Sequence, residues 1–356
     1  SRRASKPADG TFRLGCDPVS DGCARKRFHS VTTRFSMNLF RSVRTVTTAS
    51  GDGYVDWPAV AEAAKASTDA GSLDLSDADR EGYAADVRDA RDRLRTLGGV
   101  DFDLPDTVEI QNRHHWIDAN VDTFRRVMAP VEREAPKAIF PGITRVVNTG
   151  TLSFMLAFLG RNVLGQYDPL LLAETAPGDR NHALYFVHPN IANVADSLDV
   201  DEPRFRRWIA FHEVSHAAEF GAAPWLSDHL ETRLERGIDA LATGDLDRES
   251  FAELDTAMTA VEGYAELLMD RAFDDDYADL RAKLDARRQG GGPVARLARR
   301  LLGLGLKRRQ YERGAAFFRT VADARGLEGA SAVWERPEHL PTDAELDHPE
   351  RWLARV

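Results

Sequence analysis

Residues 212–216 read His-Glu-Val-Ser-His. Two histidines four residues apart lie one turn apart on one helical face, from which both imidazoles can grip one metal ion, with zinc the ion such a pair suits. Glu213, beside the first of them, can reach a water activated by that ion and act as general base. The chemistry implied is zinc-assisted hydrolysis, most often of a peptide bond. Two histidines on a helix can also be merely polar, so the neighbouring sequence has to decide.

The neighbouring sequence favours the metal. Asp201 is a fair N-cap, Pro203 falls in the first turn where a missing N–H costs nothing, Gly221 suits the C-terminal stop and Pro224 follows it. Phe205, Trp208, Ile209, His212, His216 and Phe220 share one face at helical spacing, so a helix over 203–220 carries its two histidines on an apolar stripe. Buried imidazoles without partners are costly, and a shared zinc is the simplest partner.

A catalytic zinc takes three protein ligands and keeps one position open. In one class of zinc peptidase the motif runs on as H-E-x-x-H-x-x-G-x-x-H; here residue 219 is Glu and residue 222 is Ala, which excludes that class. The other large class draws a glutamate from a later helix. Residues 261–270 read Val-Glu-Gly-Tyr-Ala-Glu-Leu-Leu-Met-Asp, and two carboxylates one turn apart on a largely apolar helix need partners. Glu262 is therefore assigned as the third ligand. Glu266 is assigned to accept a hydrogen bond from a ligating histidine, with Asp270 a second candidate for that outer position. His229 is the rival third ligand. Tyr264, Tyr311 and His229 are the candidate donors to an oxyanion, and the sequence does not choose among them.

The elements that must hold these residues are mostly helical. Helices are expected over 57–66, 77–97, 116–128, 130–139, 151–164, 203–220, 224–241, 249–273 and 307–324. Strands are expected at 107–111 and, as the best in the chain, at 183–187, ending at His188-Pro189-Asn190. Turns or loops are expected at 101–105, 179–182, 244–247 and 289–293. The Pro-punctuated ending keeps Trp334 and Trp352, which suggests that it packs on the body. The fold class is mainly α, an α+β chain with a small sheet shortly before the active-site helix. The apolar run from Leu152 to Gly160 stops at Arg161 after about half the length needed to cross a bilayer and reads as a buried helix.

Composition bounds the rest. The chain has 356 residues, 43% hydrophobic and 29% charged, with a formal net charge of −10 that argues against a nucleic-acid binder. Six Lys stand against 41 Arg, and 36 Asp against 21 Glu, a balance that fits a high-salt cytoplasm or an Arg-rich codon bias. The first 36 residues differ: eight Lys/Arg, three Asp, both cysteines (Cys16 and Cys23) and no hydrophobic period. They read as a disordered basic tail, upstream sequence ahead of a start at Met37, with 37–356 as the metallohydrolase domain. They hold no apolar core of a secretory signal. A cytoplasmic enzyme without nucleic-acid or membrane partners is expected.

Together these residues resemble the zincin-like metallopeptidases of actinobacteria and haloarchaea that carry the label "associated with deazaflavin coenzyme biosynthesis". The matching segments are Gly165–Asp168, Phe186–Asn190, Trp208–Glu213, Pro224–Leu226, Glu262–Glu266, Gln310–Gly314 and the ending from Trp334 to Trp352 with Leu340-Pro341-Thr342. The resemblance covers about Met37 to Val356. It implies a zinc-dependent hydrolase fold of the glutamate-ligand type with an undefined substrate; the coenzyme label reflects gene co-occurrence and implies no step in that pathway. The expected function is a zinc metallopeptidase acting on a peptide or protein. The alternatives are a zinc hydrolase of a non-peptide amide or small metabolite, and a binding scaffold without turnover, against which the intact Glu213 counts.

Overall fold

The computed structural model describes residues 42–49, 53–98, 102–105, 107–134, 140–169, 182–242, 248–273, 277–289 and 304–356. The basic tail 1–36, the turn at 179–181, the loop at 244–247 and the glycine run 290–293 lie outside the described residues. The architecture is mainly helical with one small mixed sheet. Strand β3, Ala183–Val187, is its centre: β1, Thr107–Gln111, pairs with it in parallel, Thr107 opposite Ala183, and β2, Gly165–Asp168, pairs antiparallel, Gly165 opposite Phe186. Ala183, Leu184, Phe186 and Val187 are all buried, as expected of a central strand covered on both faces.

Both expected strands form at the expected residues. β2 was not foreseen. Four residues of Gly-Gln-Tyr-Asp offer no alternation long enough to read, and the strand owes its place to tertiary contacts. Val187 donates to the Leu164 carbonyl at 2.8 Å. Asn190 donates to the carbonyls of Gly160 and Val163 at 2.9 and 2.7 Å, and Trp116 Nε1 to Gln166 Oε1 at 2.7 Å. The helix His188–Leu198 was also missed. Pro189, read as a stop after the strand, sits in that helix's first turn, where its ring fits, and the helix ends on Asp199 at φ 51°. The helix Tyr277–Gln289 was likewise unassigned, being charged along most of its length.

The helices expected over 116–128 and 130–139 are one among the described residues, Arg113–Glu134, which runs through Pro130; 135–139 lie outside them. The helix expected at 151–164 begins ten residues sooner, at Pro141, and ends at Asn162. That makes it long and apolar enough to cross a membrane by length and composition. It packs through Leu152, Leu156, Ala157 and Gly160, while Ile143, Val147 and Phe154 stand exposed.

The motif helix, Glu202–Ala222, runs through the main core. Asp201 caps it, accepting from Arg204 N at 3.0 Å, and 13 of its 21 residues are buried, so it has no wet face. Ion pairs Arg206–Asp86 (2.7 Å) and Arg207–Asp89 (2.6 Å) join it to the helix Asp77–Gly98. Gly221 lies inside this helix and is not its stop: a Cβ there would meet Phe102 Cβ at 2.6 Å, so the glycine lets the 102–105 loop approach. The motif helix also packs against the carboxylate helix, Arg248–Ala272, which in turn packs against the late helix, Leu304–Ser331, kinked at Gly326. The ending packs on the body as expected. Trp334 and Trp352 are buried, and Trp352 Nε1 donates to the His339 carbonyl at 2.7 Å.

Candidate metal centre

The apolar face read from the sequence is a ladder of rings. Phe205 stacks on Trp208 at 5.9 Å, and Trp208 on His212 at 5.9 Å and 11°; the His212 and His216 rings then meet at 4.9 Å and 77°. The stack holds the first imidazole flat against the indole and turns the second toward it. The Nε2 atoms of both histidines point to one oxygen of the carboxylate helix: Glu262 Oε2 lies 3.9 Å from each. The three donor atoms fall within 4.8 Å of one another, and Glu262 is only 5% exposed.

This donor set fits a catalytic zinc. Two imidazole nitrogens and a carboxylate oxygen are the ligands such sites use, and tetrahedral bonds of about 2.1 Å place donors about 3.4 Å apart. The two imidazole–carboxylate separations of 3.9 Å contract by about 0.5 Å to meet that geometry. Glu262 thus stands with both histidines in one candidate donor group. His229, the rival, is not in the group; its ring packs edge-on to Trp225 at 5.6 Å, and burial together with Arg233 pushes it down to about 4.

The carboxylate behind the ligands is not the one expected. His216 Nδ1 lies 2.9 Å from Glu219 Oε2, and Glu219 is fully buried. Glu266 pairs instead with Arg281 at 2.8 Å, and the same guanidinium holds Asp270 at 2.6 Å. The reason is positional. Glu219 is three residues beyond His216 on the same helix and sits directly beside its ring. Glu266 lies a turn beyond Glu262, where Arg281 of the following helix reaches it.

The charges are coupled. Burial works against a charged His216, but the hydrogen bond and charge of Glu219, with the charges of Glu262 and Glu213, lift it to about 9. Burial raises the Glu219 carboxyl to about 7 against the opposing pull of His216. Without a metal, then, the pocket favours a proton on His216. A metal would take that proton's place.

Glu213 is buried beside the same histidines. The Tyr167 backbone N–H of β2 donates to its Oε2 at 2.8 Å, and a Cβ on Gly165 would fall 2.6 Å from its Cγ. The edge strand therefore lies flat on the Glu213 carboxylate and fixes its direction. The Tyr167 hydroxyl meets His182 Nδ1, and its ring packs on Phe220 at 5.2 Å. Burial raises the Tyr167 hydroxyl well above its ordinary range.

The oxyanion candidates fare less well. Tyr264 is a core residue between Phe318 and Trp334, its hydroxyl raised by burial; two residues on from Glu262, it faces another side of the helix. His229 stands apart from the donor group, and the side chain of Tyr311 lies outside the described residues. Glu219, Gly165 and Tyr167 are what sequence reasoning missed. The i,i+3 spacing of His216 and Glu219 was a usable signal for the first.

Residues 55–248 and 237–353 match the sequence profile of a family described as zincin-like metallopeptidase. A candidate hydrolase with a novel fold from Chloroflexus aurantiacus, known from its crystal structure, is similar at 30% identity and a TM-score of 0.69, over 85% of this chain and 98% of that one. No curated protein matches.

Proposed function

This chain belongs to the zincin-like metallopeptidase family, and from that premise we propose that it is a zinc-dependent peptidase whose zinc is held by His212, His216 and Glu262. The observation that carries the reading is the convergence of two imidazole Nε2 atoms on a buried glutamate oxygen, with a second glutamate, Glu213, one residue from the first ligand. Zinc, when bound, supplies Lewis acidity that brings water's pKa toward 7.

Glu213 takes the proton from the attacking water and passes it to the leaving amine. Tyr167 N–H and the flat Gly165 keep its carboxylate aimed during that exchange. Glu219 fixes the ring of His216, so that Nε2 stays on the metal side. Trp208 does the same for His212 by stacking. A peptide substrate is favoured because β2 is an edge of the sheet beside Glu213, and an extended chain can lie along such an edge and present its carbonyl. The narrower kinship, to the members from actinobacteria and haloarchaea, is part of this proposal and rests on the segments quoted from the sequence.

The test is digestion of a peptide library by zinc-loaded protein beside Glu213→Gln. Cleavage by the wild type that is lost in the variant, with zinc retained, supports the reading. Cleavage that persists in the variant, or a variant that loses its zinc, overturns the role given to Glu213.

A further inference from the structure

The late helix supplies no metal donor among the described residues, yet it touches the carboxylate helix at the residue next to Glu262. A Cβ on Gly263 would lie 2.3 Å from the Gly314 carbonyl carbon, and one on Gly314 would lie 2.2 Å from the Thr259 carbonyl oxygen. The two helices meet backbone to backbone. Neither glycine has a positive φ, so no turn demands it. Glycine is the poorest helix former after proline. Close approach is therefore what both serve.

The crossing is held from several sides. Tyr264, the residue after Gly263, packs on Phe318 and Trp334. Arg313, the residue before Gly314, is fixed by Asp343 and Asp347 at 2.9 and 2.8 Å. Successive helix residues are about 100° apart, so Gly263 and Glu262 occupy neighbouring sectors, one toward the late helix and the other toward the histidines. A methyl at either glycine must move from about 2.3 Å to ordinary contact beyond 3.4 Å, so the backbones separate by about 1 Å. Zinc–carboxylate bonds span only about 2.0–2.2 Å.

We propose that the Gly263–Gly314 crossing sets the depth at which Glu262 reaches the metal, so that residues 304–356 position a ligand they do not supply. The proposal rests on the metal-site reading above. The same close contact is one residue from the ligand and far from solvent, so its effect should appear in metal binding beyond any loss of stability.

The test compares the full-length wild type with Gly263→Ala, Gly314→Ala and Phe317→Leu. Phe317, a fully buried residue of the late helix one turn beyond Gly314, packs on Phe318 and Trp352, and trimming its ring leaves the glycine backbones where they are. Zinc affinity is read by competition with a chromophoric chelator, ligand geometry by the visible spectrum of the cobalt(II) form, and stability by melting of the metal-free protein. Either glycine variant should weaken zinc about 10-fold or more and alter the cobalt spectrum, as loss of ligand positioning does. Phe317→Leu should lower the melting temperature and leave affinity and spectrum unchanged. Glycine variants that melt early but bind as the wild type does overturn the proposal.

Should neither glycine variant fold, hydrogen exchange of the wild type decides. Zinc should slow exchange at 312–321 more than in the distant helix Trp57–Ala66, because coupling between two sites is reciprocal. Equal slowing at both overturns the proposal. A wild type that takes up neither metal overturns the metal-site reading itself, which separates that failure from this one.

Discussion

Replacing Glu219 by alanine should change metal affinity by an amount that depends on pH, because the carboxylate does two opposed things. It aims His216, through a 2.9 Å hydrogen bond to Nδ1. Losing such a partner costs about 10–100-fold in affinity, about 1.4–2.7 kcal/mol. It also helps hold a proton on His216, lifting the imidazole to about 9, and a metal has to displace that proton. At pH 7, below that value, the proton competes with the metal and weakens wild-type binding. With Glu219 gone, its hydrogen bond and charge no longer raise the imidazole against burial, and only the charges of Glu262 and Glu213 still do, so part of that competition disappears. The two effects oppose each other at neutral pH. Near pH 9, where the wild-type imidazole is already losing its proton, only the loss of aim remains. Wild-type zinc affinity should rise with pH until about 9, and Glu219→Ala should fall about 10–100-fold behind it there and by less at pH 7. Zinc titrations buffered by a chelator of known affinity at several pH values between 6.5 and 9 measure this. A gap of constant size across the range, or one that closes as pH rises, would refute the coupling between Glu219 and His216.

Three other outcomes follow from the same geometry. Glu262→Ala leaves two histidines as the only protein ligands and should abolish retention of zinc through dialysis, read as metal content per chain. Glu266→Ala should leave zinc affinity unchanged, where the partner of a ligating histidine expected from sequence would cost about 10–100-fold. It should instead cost stability, about 1–3 kcal/mol in urea unfolding of the metal-free protein, between the surface and buried cases of a broken ion pair, because its partner is Arg281; an affinity weaker by about 10–100-fold would restore the role first given to it. Gly165→Ala puts a methyl 2.6 Å from Glu213 Cγ and should stop turnover with zinc still bound, whereas full activity would show that β2 does not aim the base.

The legible parts of this molecule are those written in local spacing. His212, Glu213 and His216 declare themselves by period, and Glu262 by being a carboxylate on an apolar helix. β1 and β3 were placed to the residue by their branched and aromatic content. What escaped was set by contacts distant in sequence. Gly165–Asp168 forms a strand only because Val187, Trp116 and Asn190 hold it and its approach in place. Pro189 reads as a breaker or as a first-turn residue with equal ease, and the strand before it favoured the wrong choice. Glu219 and Glu266 are both carboxylates a turn from a ligand, and only Arg281, brought in by a helix the sequence did not announce, decides which of them serves a histidine. Gly221 and Gly263 mark close approaches whose partners, Phe102 and Gly314, no local pattern reveals.

The central claim is that His212, His216 and Glu262 hold one metal ion. Anomalous diffraction from crystals of zinc-reconstituted protein, collected on either side of the zinc absorption edge, tests it most directly. The account predicts a single strong peak per chain, about 2.0–2.2 Å from His212 Nε2, His216 Nε2 and a Glu262 carboxylate oxygen. No peak between these three residues, or a peak held by other side chains such as His229, would contradict it.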